Sequence, residues 1–571
     1  AKEAPNFILI LTDDQGWTSL SAPMDLRRSG SKSDYHKTPN MNALLERGMR
    51  FSNGYAAAPV CSPTRYSIQF GKSPARLNFT RVLGRNGADH NQIGIPQALK
   101  AADPEYFCAH LGKWHISADP KRYEYDVHDG KTTNREGGFT MKNHIREWGG
   151  YAEDDPKRVF SLTNRAIDFM QQSVKEERPF FIQISHYAVH SDLVYNEDAF
   201  EEVGNWPAGE VHQNRAYAAM VHNLDESIGL LLEAYDTMGL AESTYLIFTS
   251  DNGTDHRIRS LHNGLSIPGA KGKMTEDATH VPFLVRWPAV VDKNTKINGL
   301  IDFSDIYATL MDVAGIDDVS QPENNERDGH SFLPLLTGAK QEIRDHSFCW
   351  YMERTDMTDI KYFIQNKEYK LHSDGRFINK SADRFELKPI DDSALLEEQK
   401  KLKVKFVNHM DYYLKLRPER IPFNNSQAIR LPGVLEFEAY DLGMPNITYY
   451  DTSKGNSRGG FWRKEDVDII SKRGRHLITN TEAGEWLEYS IETKQAGKFS
   501  MTINYSAISD GAIHFEIGGE AITPTILLPK TPTYKVSSLP LSKTLSLPKG
   551  NFILRLVVES GDMNLDSVKI Q

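Results

Sequence analysis

Three short runs of branched and aromatic residues constrain this chain more than anything else in it. They are Asn6-Phe-Ile-Leu-Ile-Leu-Thr12, Phe180-Phe-Ile-Gln-Ile-Ser185 and Thr244-Tyr-Leu-Ile-Phe-Thr249. Each is too short for a buried helix and lacks the polar alternation of a half-exposed strand. Each therefore reads as a strand covered on both faces, which requires a mostly parallel sheet flanked by helices. The segments between agree. Thr38-Pro39 opens a helix with Thr38 at the N-cap, and Gly48 ends it. Residues 214–238 have helical periodicity and stop at Gly239. In such sheets ligands collect beyond the carboxyl ends of the strands, so the residues that follow each run matter most.

Thr12-Asp13-Asp14-Gln15-Gly16 follows the first run and Ser250-Asp251-Asn252-Gly253 the third. Three carboxylates and an amide oxygen form a hard-oxygen set suited to Ca2+ or Mg2+. Taken singly, both segments are also ordinary turn formers. In Pro59-Val-Cys61-Ser-Pro63-Thr-Arg65, Pro63 fits the first turn of a helix, which places Cys61 at its N-terminus. A helix N-terminus favours an anion and activates a cysteine-derived group. Arg65 lies one helical turn on and faces back towards it. The bland alternative is a small buried cysteine and a surface arginine. Lys113 and His115 alternate along a strand and equally suit a solvated face. His190 equally suits a core histidine, and Lys271 plain surface charge.

At 571 residues the chain is too long for one core. The formal net charge of -10 argues against a nucleic-acid partner. Any field that holds an anion must then be local to a pocket. No apolar run reaches the length of a membrane span, and an export signal is read as already removed. Cys61, Cys108 and Cys349 form neither a zinc pattern nor a disulfide framework. The α/β part is expected over residues 1–345, a small α+β subdomain over 346–416, a linker over 417–432 and an all-β module over 433–571. In the last, Trp486-Leu-Glu-Tyr-Ser-Ile, Phe499-Ser-Met-Thr-Ile-Asn-Tyr and Phe552-Ile-Leu-Arg-Leu-Val-Val lie between turn residues, as in a β-sandwich.

The Cys61-x-Pro63-x-Arg65 core resembles the signature of the type I sulfatases, in the alkaline-phosphatase-like superfamily. Other blocks fall in that family's order: Asp13-Asp14, Gly112-Lys113-Trp114-His115, His190 in His186-Tyr-Ala-Val-His190, Asp251-Asn252-Gly253, Lys271-Gly272 with Glu276 and Val281-Pro282, and Arg384-Phe-Glu-Leu387. The resemblance covers about residues 5–415. There are departures. Asp277 and Ala278 stand where two glycines are usual, His280 where an arginine is common, and Asn42 where an aspartate is frequent. Residues 432–571 resemble a family 6-type carbohydrate-binding module, through Leu435-Glu436-Phe-Glu438-Ala-Tyr440-Asp441, Gly484-Glu-Trp486-Leu-Glu-Tyr489, Leu547-Pro-Lys-Gly550 and Asn564-Leu-Asp566.

The resemblance implies an alkaline-phosphatase-like fold and a sulfuric ester hydrolase acting on a sulfated glycan. Algal ulvan, carrageenan or fucoidan come first, host glycosaminoglycans second. Cys61 is expected to become formylglycine, through a formylglycine-generating or sulfatase-maturing enzyme, and its hydrate to attack sulfur in line. A cation, Ca2+ with Mg2+ as the alternative, is expected on Asp13, Asp14, Asp251, Asn252 and residue 61. Lys113 and Lys271 would balance charge on the sulfate, Arg65 would fix the hydrate, and His190 would protonate the leaving sugar oxygen. His115 would help expel sulfate. His256, Arg257 and His262 are candidate sugar contacts. So is the loop 126–150, with Lys131, Arg135, Lys142, His144 and Arg146. In the module, Glu436, Glu438 and Asp566 suit a structural Ca2+, while Tyr449, Tyr450, Phe461 and Trp462, with Asn564, suit glycan contacts. The family's habit is a periplasmic or secreted enzyme. The rivals are a phosphate or phosphonate ester hydrolase of the same superfamily and a catalytically dead glycan-binding protein.

Overall fold

The computed structural model describes residues 4–79, 90–139, 148–316, 326–352, 360–416, 419–423, 427–443, 445–453, 455–458, 463, 465–472 and 474–571. Two compact units emerge, with the main boundary between Leu416 and Arg417.

The first unit is built on an eight-stranded sheet. In chain order its strands are β1 (Asn6–Thr12), β2 (Met49–Tyr55), β3 (Phe107–Gly112), β4 (Val127–His128), β5 (Phe180–Ser185), β6 (Thr244–Ser250), β7 (Phe283–Arg286) and β8 (Thr295–Asp302). Across the sheet they lie in the order β8-β2-β7-β6-β1-β5-β3-β4. β1 is central and parallel to both β5 and β6, with Ile8 opposite Ile182 and Leu246. β7 alone runs against its neighbours. Every residue of β5 and β6 is buried. That is why these runs carry no polar alternation: helices cover both faces. The helix Arg215–Thr237 begins as its sequence suggests, with the Asn214 side chain accepting from the Tyr217 amide. Thr38 behaves otherwise. It precedes the helix Pro39–Arg47 but makes no side-chain cap, because its hydroxyl donates to Asn42 Oδ1 (3.1 Å) and accepts from the Ser21 amide (2.9 Å).

The α+β subdomain is present as expected. Strands Ser347–Met352, Ile360–Gln365, Tyr369–His372 and Phe377–Asn379 form one sheet, followed by the helix Glu397–Lys415. Buried charges join it to the catalytic sheet. Lys380 Nζ reaches Glu276 Oε2 (3.2 Å) and the Tyr55 hydroxyl (3.0 Å), while Glu386 accepts from the Glu276 amide (2.7 Å) and from Lys370 (2.7 Å). Glu386 belongs to the Arg384-Phe-Glu-Leu387 block and is 2% exposed. That block is thus a structural tie between subdomain and sheet.

The second unit is a β-sandwich of one seven-stranded and one six-stranded sheet. The three runs singled out above fall in strands Trp486–Thr493, Gly497–Ala507 and Gly550–Ser560. The stretch read as a linker is not one. Arg420–Ile421 pairs with Leu442–Gly443, and Ile429–Leu431 runs parallel to Trp486–Thr493 as an edge strand. Its proline and asparagine content hid short edge strands, which tolerate both.

Candidate active site

The parallel strands deliver the chemistry to one edge of the sheet. β1 hands over Asp13 and Asp14, β6 hands over Asp251 and Asn252, β3 hands over Lys113 and His115, and β5 leads to His190. The loops are stitched together by backbone. Asp251 donates from its amide to the Thr12 carbonyl (3.1 Å), Val189 to the Asp13 carbonyl (2.7 Å), and Asp13 to the Ala188 carbonyl (2.9 Å). Asp14 sits at φ 61, a conformation that aspartate tolerates better than most residues. Gly253 is required by close approach: a Cβ there would lie 1.7 Å from the Asp277 carbonyl oxygen.

Cys61 is the first residue of a wholly buried helix, Cys61–Phe70, which ends on Gly71 at φ 65. One ligand atom from each of Asp13, Asp14, Cys61 and Asp251 lies within 4.8 Å of all the others. Cys61 Sγ is 3.6 Å from Asp13 Oδ1. Three cationic groups surround these carboxylates. Lys113 Nζ donates to Asp13 Oδ2 (2.5 Å), Lys271 Nζ to Asp14 Oδ2 (2.6 Å), and Arg65 lies 2.8–2.9 Å from Asp251 Oδ2. Arg65 also bonds the Lys113 carbonyl. Its guanidinium is therefore spent on Asp251 and the Lys113 backbone rather than turned only towards residue 61.

The charges are in tension. Burial, then Asp251, pushes the Cys61 thiol up to about 12, so an unmodified thiol here holds its proton at neutral pH and is no nucleophile. Burial and Asp13 raise the Asp251 carboxyl, and burial with Asp13 and Asp251 raises Asp14 against the pull of Lys271. Asp13 goes the other way: against its burial, Lys113 and Arg65 hold it well below the usual carboxylate range. Crowded carboxylates with raised affinity for protons are the environment a divalent cation relieves. Asn252 Nδ2 donates to Asp14 Oδ1 (2.8 Å), while its buried Oδ1 accepts from nothing. A free amide oxygen beside three carboxylates fits a hard cation.

Lys113 and His115 do not alternate along a strand. β3 stops at Gly112; Lys113 is 0% exposed, and His115 is 5% exposed in a left-handed turn at φ 55. Burial and Lys113 hold the His115 imidazole well below its ordinary value, and its Nδ1 is buried without a partner. His190 is likewise held neutral by burial and Lys271. Its Nδ1 faces the Ser191 carbonyl, and its Nε2 lies 3.2 Å from Asn134 Nδ2 and 3.7 Å from Asp14 Oδ2. Asn134 was not among the residues singled out from the sequence. It sits in a polar loop whose return across the strand ends is a tertiary fact. Its Oδ1 has no partner, so turning the amide lets it accept from a protonated Nε2.

Three other expectations change. His262 is buried, bonded through Nε2 to Asp277 (2.8 Å) and set edge-on to Trp17 (5.0 Å between centroids). It belongs to a closed network, and so does the departure at Asp277, which also accepts from Trp17 Nε1 (3.0 Å). His280 stacks on Trp17 at 4.3 Å and on Tyr55 at 4.8 Å. Asn42 donates to Ser21 Oγ (2.9 Å). Arg257 is held by Asp255 (3.1 Å) and lies over Trp148 (3.9 Å); both it and His256 are exposed. Lys131 and Arg135 are exposed, and Lys142, His144 and Arg146 lie outside the described residues.

In the sandwich, Glu438 Oε2 is buried without a partner, and burial with Glu436 and Asp566 pushes its carboxyl up to about 8. The trio shares a field but, among the described residues, does not converge as tightly as the cluster around Cys61. Tyr449 is 1% exposed and part of the core, so it makes no sugar contact; Tyr450 is 38% exposed. Asn564 is engaged with Thr479 Oγ1 (2.6 Å) and Ser506 Oγ (3.1 Å). Phe461 and Trp462 lie outside the described residues.

Residues 5–316 match the family model described as Sulfatase, and 270–407 the one described as N-sulphoglucosamine sulphohydrolase, C-terminal. Residues 463–570 match Carbohydrate binding module (family 35), so the family that matches is 35 rather than 6. The chain is 27% identical over 405 residues to N-acetylgalactosamine-6-sulfatase of Mus musculus, covering 65% of this chain and 72% of that one. It is 26% identical over 451 residues to a sulfatase of Formosa agariphila, covering 66% and 80%. Among solved structures, Ps i-CgsB in complex with k-i-k-neocarrahexaose aligns with a TM-score of 0.58 at 21% identity, covering 73% of this chain and 94% of that one. The phosphonate monoester hydrolase of Agrobacterium radiobacter aligns with a TM-score of 0.54 at 16% identity, covering 72% and 95%. At such identities the likeness is one of fold.

Proposed function

The chain belongs to the sulfatase family, and from that premise we propose that it removes sulfate from a sulfated polysaccharide or oligosaccharide through a formylglycine formed at residue 61. Algal glycans such as ulvan, carrageenan or fucoidan are the substrates this reading favours. The observation that carries it is the gathering of Cys61, Asp13, Asp14 and Asp251 within 4.8 Å at a helix N-terminus, with Lys113 and Lys271 on the same carboxylates. The appended carbohydrate-binding module and the carrageenan-bound structure with the same fold support the choice of glycan. Family habit supports a periplasmic or secreted enzyme. No helix among the described residues is long and apolar enough to cross a membrane.

The roles follow from the side chains. Asp13, Asp14, Asp251 and Asn252 Oδ1 would hold a divalent cation, Ca2+ or Mg2+, whose Lewis acidity draws charge from an ester oxygen. Residue 61, converted from Cys61 to the aldehyde by a maturation enzyme and hydrated to a geminal diol by water, would supply the nucleophilic hydroxyl. Lys113 and Lys271 place two ammonium groups where negative charge grows in the transition state. Arg65, bonded to Asp251 and to the Lys113 carbonyl, fixes the position of both. Once an anionic ester beside it favours the charged imidazolium, His190 would give the proton on Nε2 to the leaving oxygen, with Asn134 steering it. His115 is neutral and has a free ring nitrogen, so it can accept the proton released as sulfate departs.

Sulfate release from a panel of position-defined sulfated algal oligosaccharides, read by ion chromatography, tests the proposal. Release from at least one member is expected. A strong preference for an aryl phosphate over the matching aryl sulfate would move the enzyme to the phosphate and phosphonate ester class. Unmodified Cys61 in protein from the native host, with no release from any glycan, would leave a glycan-binding protein.

A further inference from the structure

Lys157 takes no part in the roles above. It follows Asp154-Asp155-Pro156 in a turn, Pro156–Arg158, where Lys157 and Arg158 both adopt left-handed backbone at φ 53 and φ 56. The helix Val159–Lys175 starts at once afterwards, with Asp155 Oδ1 accepting from the Phe160 amide (3.0 Å). Just before the turn, Tyr151–Ala152 pairs with Val194–Tyr195, and the Glu153 amide donates to the Tyr195 carbonyl (2.9 Å). The turn is thereby laid beside the loop that carries His190 and Asp192. Residues 152–154 and Arg158 are exposed, yet Lys157 is itself 2% exposed.

What Lys157 lacks is a partner. Other buried lysines of this unit end on oxygen: Lys370 on Glu386 (2.7 Å) and the Met274 carbonyl (3.2 Å), Lys380 on Glu276 (3.2 Å) and the Tyr55 hydroxyl (3.0 Å). Among the described residues, Lys157 Nζ has no carboxylate within 4.0 Å and no hydrogen bond. Its charge is felt by the site all the same. Burial pushes its ammonium down to about 8, against the fields of Asp13, Asp192 and Asp14, and Lys157 is among the charges that depress His190. A lysine only 2% exposed with no counter-charge on its ammonium is costly to keep. A fold keeps one where an anion arrives to complete it, as binding sites leave unmet groups for their ligand.

We propose that Lys157 is a substrate-binding residue, a third ammonium on the His190 side of the pocket that takes an anionic oxygen of the sulfated sugar. This rests on the sulfatase reading above. The oxygen has two sources, the sulfate being removed or an acidic group beside it on the glycan, and the arms of the test separate them. Lys157→Met is compared with the wild-type enzyme on 4-nitrophenyl sulfate, on inhibition by inorganic sulfate, and on a carrageenan oligosaccharide that carries further sulfates. If Lys157 meets the departing sulfate, KM for the aryl ester and the inhibition constant for sulfate both rise about tenfold, with kcat within about threefold. If it meets a neighbouring acid, those two hold and only the oligosaccharide's KM rises.

A second measurement needs neither the variant nor turnover. Reductive methylation of the wild-type protein by formaldehyde and borohydride, followed by peptide mapping, should show Lys157 protected by saturating inorganic sulfate or by the oligosaccharide, with exposed Lys37 unaffected. Wild-type constants in Lys157→Met for all three probes, or Lys157 methylated equally with and without either ligand, would overturn the assignment. Wild-type enzyme that hydrolyses none of the esters, with protection intact, would instead count against the hydrolytic reading alone.

Discussion

At the scale of single residues the site depends on what one sulfur atom becomes. Buried at the centre of three carboxylates, the Cys61 thiol is pushed up to about 12 and cannot attack anything near neutral pH. Matured protein should therefore show the residue 61 peptide lighter by about 18 Da, the change from thiol to aldehyde. Cys61→Ala should lose more than about a thousandfold in kcat on 4-nitrophenyl sulfate. Retained turnover in that variant would remove residue 61 from the chemistry. His190 makes a finer prediction. A general acid matters most for a poor leaving group, so His190→Ala should cost about 100–10,000-fold on a sugar sulfate and far less on an activated aryl sulfate. Equal losses on both would show that His190 does something else. Spacing alone left Cys61, Lys113, His190 and Lys271 each a bland alternative; they were picked out by the order of motifs shared with the sulfatases. Asn134 was not, since nothing in a polar loop says which imidazole it will meet.

At the scale of elements, the turns after β1 and β6 are held by a shared buried network. Gly253 donates its amide to the Ala278 carbonyl (2.9 Å), and a methyl group there would meet the Asp277 carbonyl at 1.7 Å. Asp277 in turn anchors Trp17 and His262, both from outside its own segment. This explains the departure from the family's paired glycines: the aspartate has its own partners in this chain. Gly253→Ala should destabilise the first unit by about 1–3 kcal/mol, the cost of forcing extra volume into packed structure. It should also lower the divalent-ion content measured by inductively coupled plasma mass spectrometry, because Asp251 and Asn252 move with the turn. Wild-type ion content and melting temperature in Gly253→Ala would refute the coupling. The helices and strands themselves were readable from periodicity. The linker reading of 417–432 failed because edge strands are short and accept proline, so their composition imitates a loop.

For the whole molecule the lesson is how charge is distributed. A chain of net charge -10 still concentrates three cations on three carboxylates at one sheet edge, the local field that binding a sulfate ester would need. The sandwich shows the opposite case. Glu438 is buried beside Glu436 and Asp566, and its carboxyl is raised to about 8. The folded module then holds a proton that the unfolded chain has lost. Its stability should be fullest below about pH 4.5 and decline as pH rises through about 8. In chelator at pH 8, Glu438→Gln should raise the module's melting transition by at least about 1 kcal/mol, roughly 3 °C, and Ca2+ should raise the wild-type transition but not the variant's. A wild-type transition that is flat between pH 6 and pH 8 in chelator would contradict this.

The sequence by itself determined the parallel sheet and the order of the strand-end motifs, and its resemblance to the sulfatases named the groups expected there. The sheet follows from local rules: doubly buried strands are apolar throughout, and strand ends in such sheets converge. Only the tertiary structure decided which buried groups are satisfied. It tied His262 Nε2 to Asp277, put Tyr449 in the core, and left Asn252 Oδ1 without a partner. Satisfaction depends on which distant segments come within about 3 Å, and no spacing along one chain contains that distance.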